Sequence, residues 1–178
     1  DQFPDIKDRV ITINGVSKGF AMTGWRGVIM AAPKWIAQDC DKMQGQFTSG
    51  TCSITQKAMH AAMELPVEST HYMRDAFLKR RNLVLELMKE IPGFKTNIPD
   101  GAFYVYPEVS ALFGKKYNEY TINNATDLSL FLLDVAHVAL VPGAAFGDDK
   151  YIRFSYATSE DKLTEALKRM KEAIEKLK

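Results

Sequence analysis

Apolar positions along the chain fall into two textures. In the first part, short β-branched runs alternate with helical spacing. Val10 to Asn14 (VITIN), bounded by Gly15, reads as a buried strand of a parallel sheet, and Val28 to Ala32 (VIMAA), stopped by Pro33, as a second buried strand. Behind Pro33, a residue suited to a first helical turn, Trp35, Ile36, Cys40 and Met43 recur at helical spacing. Ser49-Gly50-Thr51 breaks the pattern, and Ile54, Ala58, Ala61, Ala62 and Leu65 then mark another helix, which Pro66 ends.

Ser69 to Ile91 is the longest periodic segment. Met73, Phe77, Val84, Met88 and Ile91 form its apolar stripe, with Lys79, Arg80 and Arg81 opposite and Pro92-Gly93 as the stop. Beyond it the elements shorten: a strand around Ala102 to Tyr106, a helix from Thr126 to Ala136, and strands at Val138 to Val141 and Tyr151 to Tyr156. The final helix opens on Thr158-Ser-Glu-Asp161, a capping-box pattern, and carries Leu163, Leu167, Met170, Ile174 and Leu177 on one face. Two heptads are too few for a coiled coil, so this face is expected to pack on a sheet. A domain boundary therefore falls in or near the long helix, between an α/β layer and a compact α+β unit.

Composition narrows the class. A hydrophobic content of 46% over 178 residues supports a real core. Lys plus Arg number 23 against 22 Asp plus Glu, so no overall charge draws the chain to nucleic acid or anionic lipid. Cys40 and Cys52 show no C-x-x-C spacing and no disulfide framework, which suits a reducing cytosol. No metal-ligand cluster stands out. There is no apolar run of membrane-spanning length, and no basic-then-apolar segment opens the chain, so a cytoplasmic protein is expected.

The chemistry concentrates in NGVSKGFAMTGWRG, Asn14 to Gly27. Gly15-Val16-Ser17-Lys18-Gly19 fits a G-x-S-x-G nucleophile elbow, with Ser17 as the attacking group of a serine hydrolase. An elbow needs a helix directly after the serine, whereas Thr23 and Gly24 interrupt one here, and the late histidine, His137, reads as core. The lysine reading uses more of the residues. Lys18, at the end of a buried strand and in a partly desolvated crevice, becomes a nucleophile toward a carbonyl. Ser17, pointing away from Lys18, can donate to an anion, and Arg26, starting the next strand, offers a planar fork to a phosphate. Together they describe a carbonyl-bearing phosphate ester bound at the carboxyl ends of strands. Arg153 sits mid-strand in Tyr-Ile-Arg-Phe-Ser-Tyr, where a guanidinium needs a partner. Two partners are open: a carboxylate ligand, or an internal salt bridge to Asp148, Asp149 or Glu160. Phe103, Tyr104 and Tyr106 read as core aromatics, and Gly143-Ala-Ala as a turn.

SKGFAMTGWR resembles the lysine motif of the class I and II aminotransferases, the fold-type I pyridoxal-phosphate enzymes related to aspartate aminotransferase. AAPKWI, PDGAFYVYPEV, VALVPGAAFG and YIRFSYATSEDKLTEALKRM follow in the family's order, so the resemblance covers essentially the whole chain. It implies that Lys18 is the lysine whose amine condenses with the aldehyde of pyridoxal phosphate and later moves the proton at the substrate α-carbon. It implies further that Ser17 and Arg26 are ligands of the cofactor phosphate, and that Arg153 grips the substrate α-carboxylate. The family's glycine-rich phosphate loop, ring-stacking aromatic and ring-holding Asn, Asp and Tyr all precede the lysine, and seventeen residues cannot hold them.

The resemblance thus implies the C-terminal half of a fold-type I transferase. Residues 1–68 would end the large mixed-sheet cofactor domain, 69–92 would be a connecting helix, and 93–178 would be the small α+β domain. The parent would be a cytoplasmic homodimer passing an amino group from an L-amino acid, aspartate-like or aromatic, to a 2-oxo acid; the chain alone would bind cofactor weakly. Alternatives are a pyridoxal-phosphate lyase of the same fold and a non-catalytic remnant or binding module. Gly27-Val28-Ile29 replaces the family's apolar residue and Gly-aromatic pair after the arginine, which keeps Arg26 aimed but predicts looser packing beside the cofactor phosphate.

Overall fold

The computed structural model describes residues 4–178, in two compact units that divide between Tyr72 and Met73. After a 3-10 turn at Pro4–Arg9, the first unit runs β1 (Thr12–Gly15), α1 (Val16–Gly19), a 3-10 turn at Thr23–Trp25, β2 (Val28–Ala31), α2 (Lys34–Phe47) and α3 (Ser53–Glu64). Strands β1 and β2 pair antiparallel, Thr12 opposite Ala31 and Gly15 opposite Val28. The expectation of two buried strands, the first in a parallel sheet, is therefore corrected: the pair is antiparallel, Ile13 is 70% exposed and Val28 61%. An apolar run carries no strand direction. The connection decides it, and residues 16–27 fold back through two short helical turns instead of crossing over a sheet.

Helix α3 buries Thr55, Met59 and Ala62, whereas the sequence stripe began at Ile54, which is exposed. Gly27 explains the rotation. It is buried, and a Cβ built on it would overlap the Met59 sulfur and stand 3.0 Å from Thr55 Cγ2. The bare glycine backbone thus lets the Thr55–Met59 face approach. Val16, Met59 and Ala62 form the small core of this unit, with Phe20 and Met22 against it.

Helix α4 (His71–Lys89) gives most of its length to the second unit, where Val84, Leu85 and Met88 enter the main core. There follow β3 (Tyr104–Val105), the short pair β4 (Lys116–Tyr117) and β5 (Tyr120–Thr121), α5 (Ala125–Ala136), β6 (Val141–Pro142), β7 (Ile152–Ser155) and α6 (Glu160–Ile174). The sheet order is β3-β7-β6, antiparallel throughout, and β7 is its central strand. The apolar face expected for α6 holds: Leu163, Leu167, Met170, Ile174 and Leu177 are all buried, each worth about 1.5–3 kcal/mol of transfer free energy.

Two ion pairs fix how α4 and α6 run. Lys79 reaches Glu160 and Lys171 reaches Glu90, each at 2.9 Å and each 81 residues apart, so the two helices lie parallel and in step. The caps differ from expectation. Ser159 precedes α6 without a side-chain hydrogen bond, so the capping box does not form, whereas Asn124 caps α5 by accepting from the Asp127 N–H at 2.9 Å. His137 does not lie in the core. It caps α5 in the left-handed conformation, φ 55°, which turns it out of the helical stripe into solvent.

Candidate functional site

The first unit gathers its chemistry at one end of the β1–β2 ladder. Gly15 opposite Val28 is the last rung, and Ser17 and Arg26 stand two residues beyond it on either side. Chain direction changes at once after Gly15, because β1 runs straight into the single helical turn α1, which carries Ser17 and Lys18. A helix therefore does follow the serine, though of one turn only. On that turn Ser17 and Lys18 are about 100° apart, not on opposite sides as a strand would set them. Ser17 is half-buried and Lys18 exposed, so the desolvated crevice expected around the lysine is not formed by the described residues. The lysine carbonyl is used structurally, accepting from the Ala21 N–H at 3.2 Å to close the turn.

Arg26 lies before the second strand instead of starting it. It closes the turn Thr23–Trp25 in the left-handed conformation, φ 54°, ψ 42°, and its Nη1 donates to the Thr23 carbonyl at 3.2 Å. A non-glycine residue held there is uncommon and points to a turn fixed from outside. The holding contact comes from α3, since Thr55 Oγ1 donates to the Trp25 carbonyl at 3.0 Å. With Gly27 packed against Met59, the turn is pinned on both sides. A cleft of about 480 Å³ opens next to Arg26, lined by Met30, Cys40, Gln44 and Thr51 among others.

The second unit holds Arg153 on the central strand β7, opposite Val141 of β6. None of the three proposed acidic partners pairs with it, and among the described residues it makes no ion pair. Glu160 is taken by Lys79, and Asp148 accepts from the Lys150 N–H at 3.0 Å. Aromatic rings meet the guanidinium instead. Its carbon lies 4.5 Å from the centre of the Tyr104 ring and 4.7 Å from that of Phe146. Tyr104 comes from β3, opposite Ser155 and so on the same face as Arg153. Phe146 comes from the 3-10 turn Gly143–Phe146 that follows β6.

A second aromatic layer fixes that turn. Tyr106 donates its hydroxyl to the Gly143 carbonyl at 3.3 Å, stacks on Tyr151 at 4.9 Å and meets Phe146 edge-on at 6.2 Å. Burial, then the charge of Asp148 and the neighbouring Tyr151, hold the Tyr106 hydroxyl protonated above its ordinary range. Reading Tyr104 as plain core and Gly143-Ala-Ala as a plain turn thus missed two contacts of the arginine. The available signal was alternation: Tyr104 and Tyr106 share a strand face, and Arg153 faces the same way once the antiparallel register is known.

A profile of the aminotransferase class I and II family matches residues 3–170. The chain belongs to the class I and II aminotransferases. Members of this family use pyridoxal 5'-phosphate. A bifunctional aspartate aminotransferase and glutamate/aspartate-prephenate aminotransferase of Petunia hybrida is 45% identical over 98% of this chain and 37% of its own length. The aspartate aminotransferase of Pinus pinaster is 41% identical over 96% of this chain and 36% of its own. Among solved structures, an aspartate aminotransferase from Rhizobium meliloti superposes with TM-score 0.95 at 39% identity, over 98% of this chain and 44% of that one. An aromatic aminotransferase from Pyrococcus horikoshii gives 0.85 at 36% identity, over 95% and 44%. This aminotransferase chain thus spans about two fifths of the length of the relatives it matches. Its fold is that of the fold-type I enzymes, and among the described residues no helix is long and apolar enough to cross a membrane.

Proposed function

We propose that the full-length protein carrying this chain is a pyridoxal-phosphate-dependent aminotransferase that moves an amino group from an L-amino acid to a 2-oxo acid. The observation that carries the reading is the end of the β1–β2 ladder, where an amine, a hydroxyl and a guanidinium stand within two or three residues of one rung. That donor set fits a phosphate ester bearing an aldehyde. Ser17 and Arg26 would hold the phosphate, the arginine as a planar cation beside an open cleft, and Lys18 Nζ would bond the aldehyde carbon. When bound, the cofactor supplies the electron sink. Displaced from the aldehyde carbon by the substrate amine, Lys18 Nζ would carry the proton to and from the substrate α-carbon, and Arg153 would grip the substrate carboxylate.

Residues 1–68 are assigned to the larger cofactor domain, 69–92 to a connecting helix and 93–178 to the small domain. We infer a cytoplasmic homodimer, and the choice of an aspartate-like or aromatic amino acid is supported by the relatives' names. By itself the chain is expected to bind cofactor weakly or not at all and not to turn over, because Lys18 is exposed and no crevice of the described residues encloses it. The test is to incubate the full-length protein with pyridoxal phosphate, reduce with borohydride and map the label by mass spectrometry. Label at Lys18 supports the assignment, and label confined to another lysine overturns it.

A further inference from the structure

The reading of Arg153 as a carboxylate grip leaves open what holds its long side chain in place. Two polar devices that usually do so are absent among the described residues: no carboxylate pairs with Arg153, and no hydrogen bond from its guanidinium is found. An unrestrained arginine carries rotamer entropy that binding would have to offset. What the structure provides is two rings, from two different elements, at 4.5 and 4.7 Å from the guanidinium carbon.

Resting on that reading, we propose that Tyr104 and Phe146 are positioning residues for the carboxylate grip: they restrain the guanidinium by cation–π contact while leaving its N–H groups unspent for a ligand. Aromatic restraint suits the task better than a salt bridge. A protein carboxylate would neutralise the charge and occupy the bidentate edge, whereas a ring attracts the cation through its face and accepts none of its in-plane donors. The rings are themselves anchored. Tyr104 is set by the β3–β7 register, and Phe146 by a turn whose first residue is tied to Tyr106. Gly143 cannot move in that turn without cost, because even a Cβ there would overlap the Asp148 carbonyl oxygen and lie 2.6 Å from the Tyr106 hydroxyl. Phe146 is nonetheless 51% exposed, so its ring covers Arg153 from the solvent side and is not a core residue whose loss would unfold the unit.

The experiment uses the 178-residue chain labelled with 15N, following the Arg153 Nε–H resonance, assigned by its loss in Arg153→Lys. Titration with 2-oxoglutarate at constant ionic strength gives a Kd, and the heteronuclear NOE of the same resonance reports the order of the side chain. Phe146→Leu and Tyr104→Leu are each expected to weaken binding roughly three- to tenfold and to lower the NOE, with the backbone amide spectrum retained. Phe146→Tyr and Tyr104→Phe keep a ring and should keep both values. If both Leu variants bind as tightly as the parent and stay as ordered, the positioning role is overturned while the carboxylate grip stands. If the parent chain shows no response, or Arg153→Lys binds equally well, the grip itself fails and the positioning role with it.

Discussion

Thr55 donates its hydroxyl to the carbonyl of Trp25, thirty residues earlier, across 3.0 Å. This single bond ties α3 to the turn that holds Arg26 in the left-handed region. Thr55→Val keeps the shape and removes the donor, leaving the carbonyl without that partner. The loss should be about 1 kcal/mol. Both tryptophans, Trp25 and Trp35, lie in the first unit, so the urea midpoint of tryptophan fluorescence reads the effect there. Thr55→Ser retains the hydroxyl and should lose less.

Two buried glycines separate soft from hard obstacles. At Gly27 the obstacle to a methyl group is mainly the flexible side chain of Met59, and at Gly143 it is the backbone carbonyls of Asp148 and Tyr151. Gly27→Ala should therefore cost about 1 kcal/mol or less as Met59 rotates, and Gly143→Ala roughly 2–3 kcal/mol, both read by thermal unfolding. An equal cost at the two positions would contradict the assignment of the Gly143 turn as a rigid support.

Tyrosine ionisation should limit the second unit at high pH. Tyr106 and Tyr156 are shifted up by burial first, and Tyr120 by its hydrogen bond to Asp134, at 3.1 Å, first. A hydroxyl whose folded-state pKa lies above its unfolded value of about 10 contributes stability that is complete below pH 10 and is lost as pH rises through the folded value. Denaturant midpoints should be flat near pH 8–9 and fall above about pH 10. Tyr106→Phe should make that fall shallower, because one raised group has been removed.

The Lys79–Glu160 and Glu90–Lys171 pairs join the parallel helices at two points on the surface. Each pair is solvent-exposed, so double-mutant cycles to alanine should give coupling of about 0.2–1 kcal/mol, shrinking in 1 M salt. Coupling that survives high salt would mean packing, not charge, joins the helices there.

Cys52 precedes α3, and the backbone N–H of Thr55, then that of Ile54, hold its thiol below the ordinary cysteine value. Iodoacetamide at pH 7.5 should alkylate it faster in the folded chain than in the same chain unfolded in urea, by peptide mapping. The sign follows from a larger thiolate fraction in the folded state. A slower folded-state rate would show that this N-terminal turn does not form.

The helices were legible from spacing wherever one face meets a large core. The α6 stripe from Leu163 to Leu177 is buried as read, because every residue in it enters one large core, which α5 shares. The α3 stripe was misread because its core is small, and Gly27, far away in sequence, selects the face that approaches. Ser17, Lys18, Arg26 and Arg153 were all visible as chemistry, and the motif order identified the family. Their settings were not visible: the helical turn under Ser17 and Lys18, the left-handed backbone of Arg26 and the rings around Arg153 each depend on residues elsewhere.

By itself the sequence determined the periodic elements, the candidate lysine with its neighbouring hydroxyl and guanidinium, and membership of a family with a known cofactor. These are local properties, written in spacing and residue type. Tertiary structure alone decided that β1 and β2 run antiparallel, that His137 leaves the core, and that Arg153 is met by Tyr104 and Phe146 instead of an acid. The physical reason is shared. Strand direction, helix face and the environment of a buried-strand cation are fixed by pairing register and close approach between distant segments, and no window of neighbouring residues contains that information.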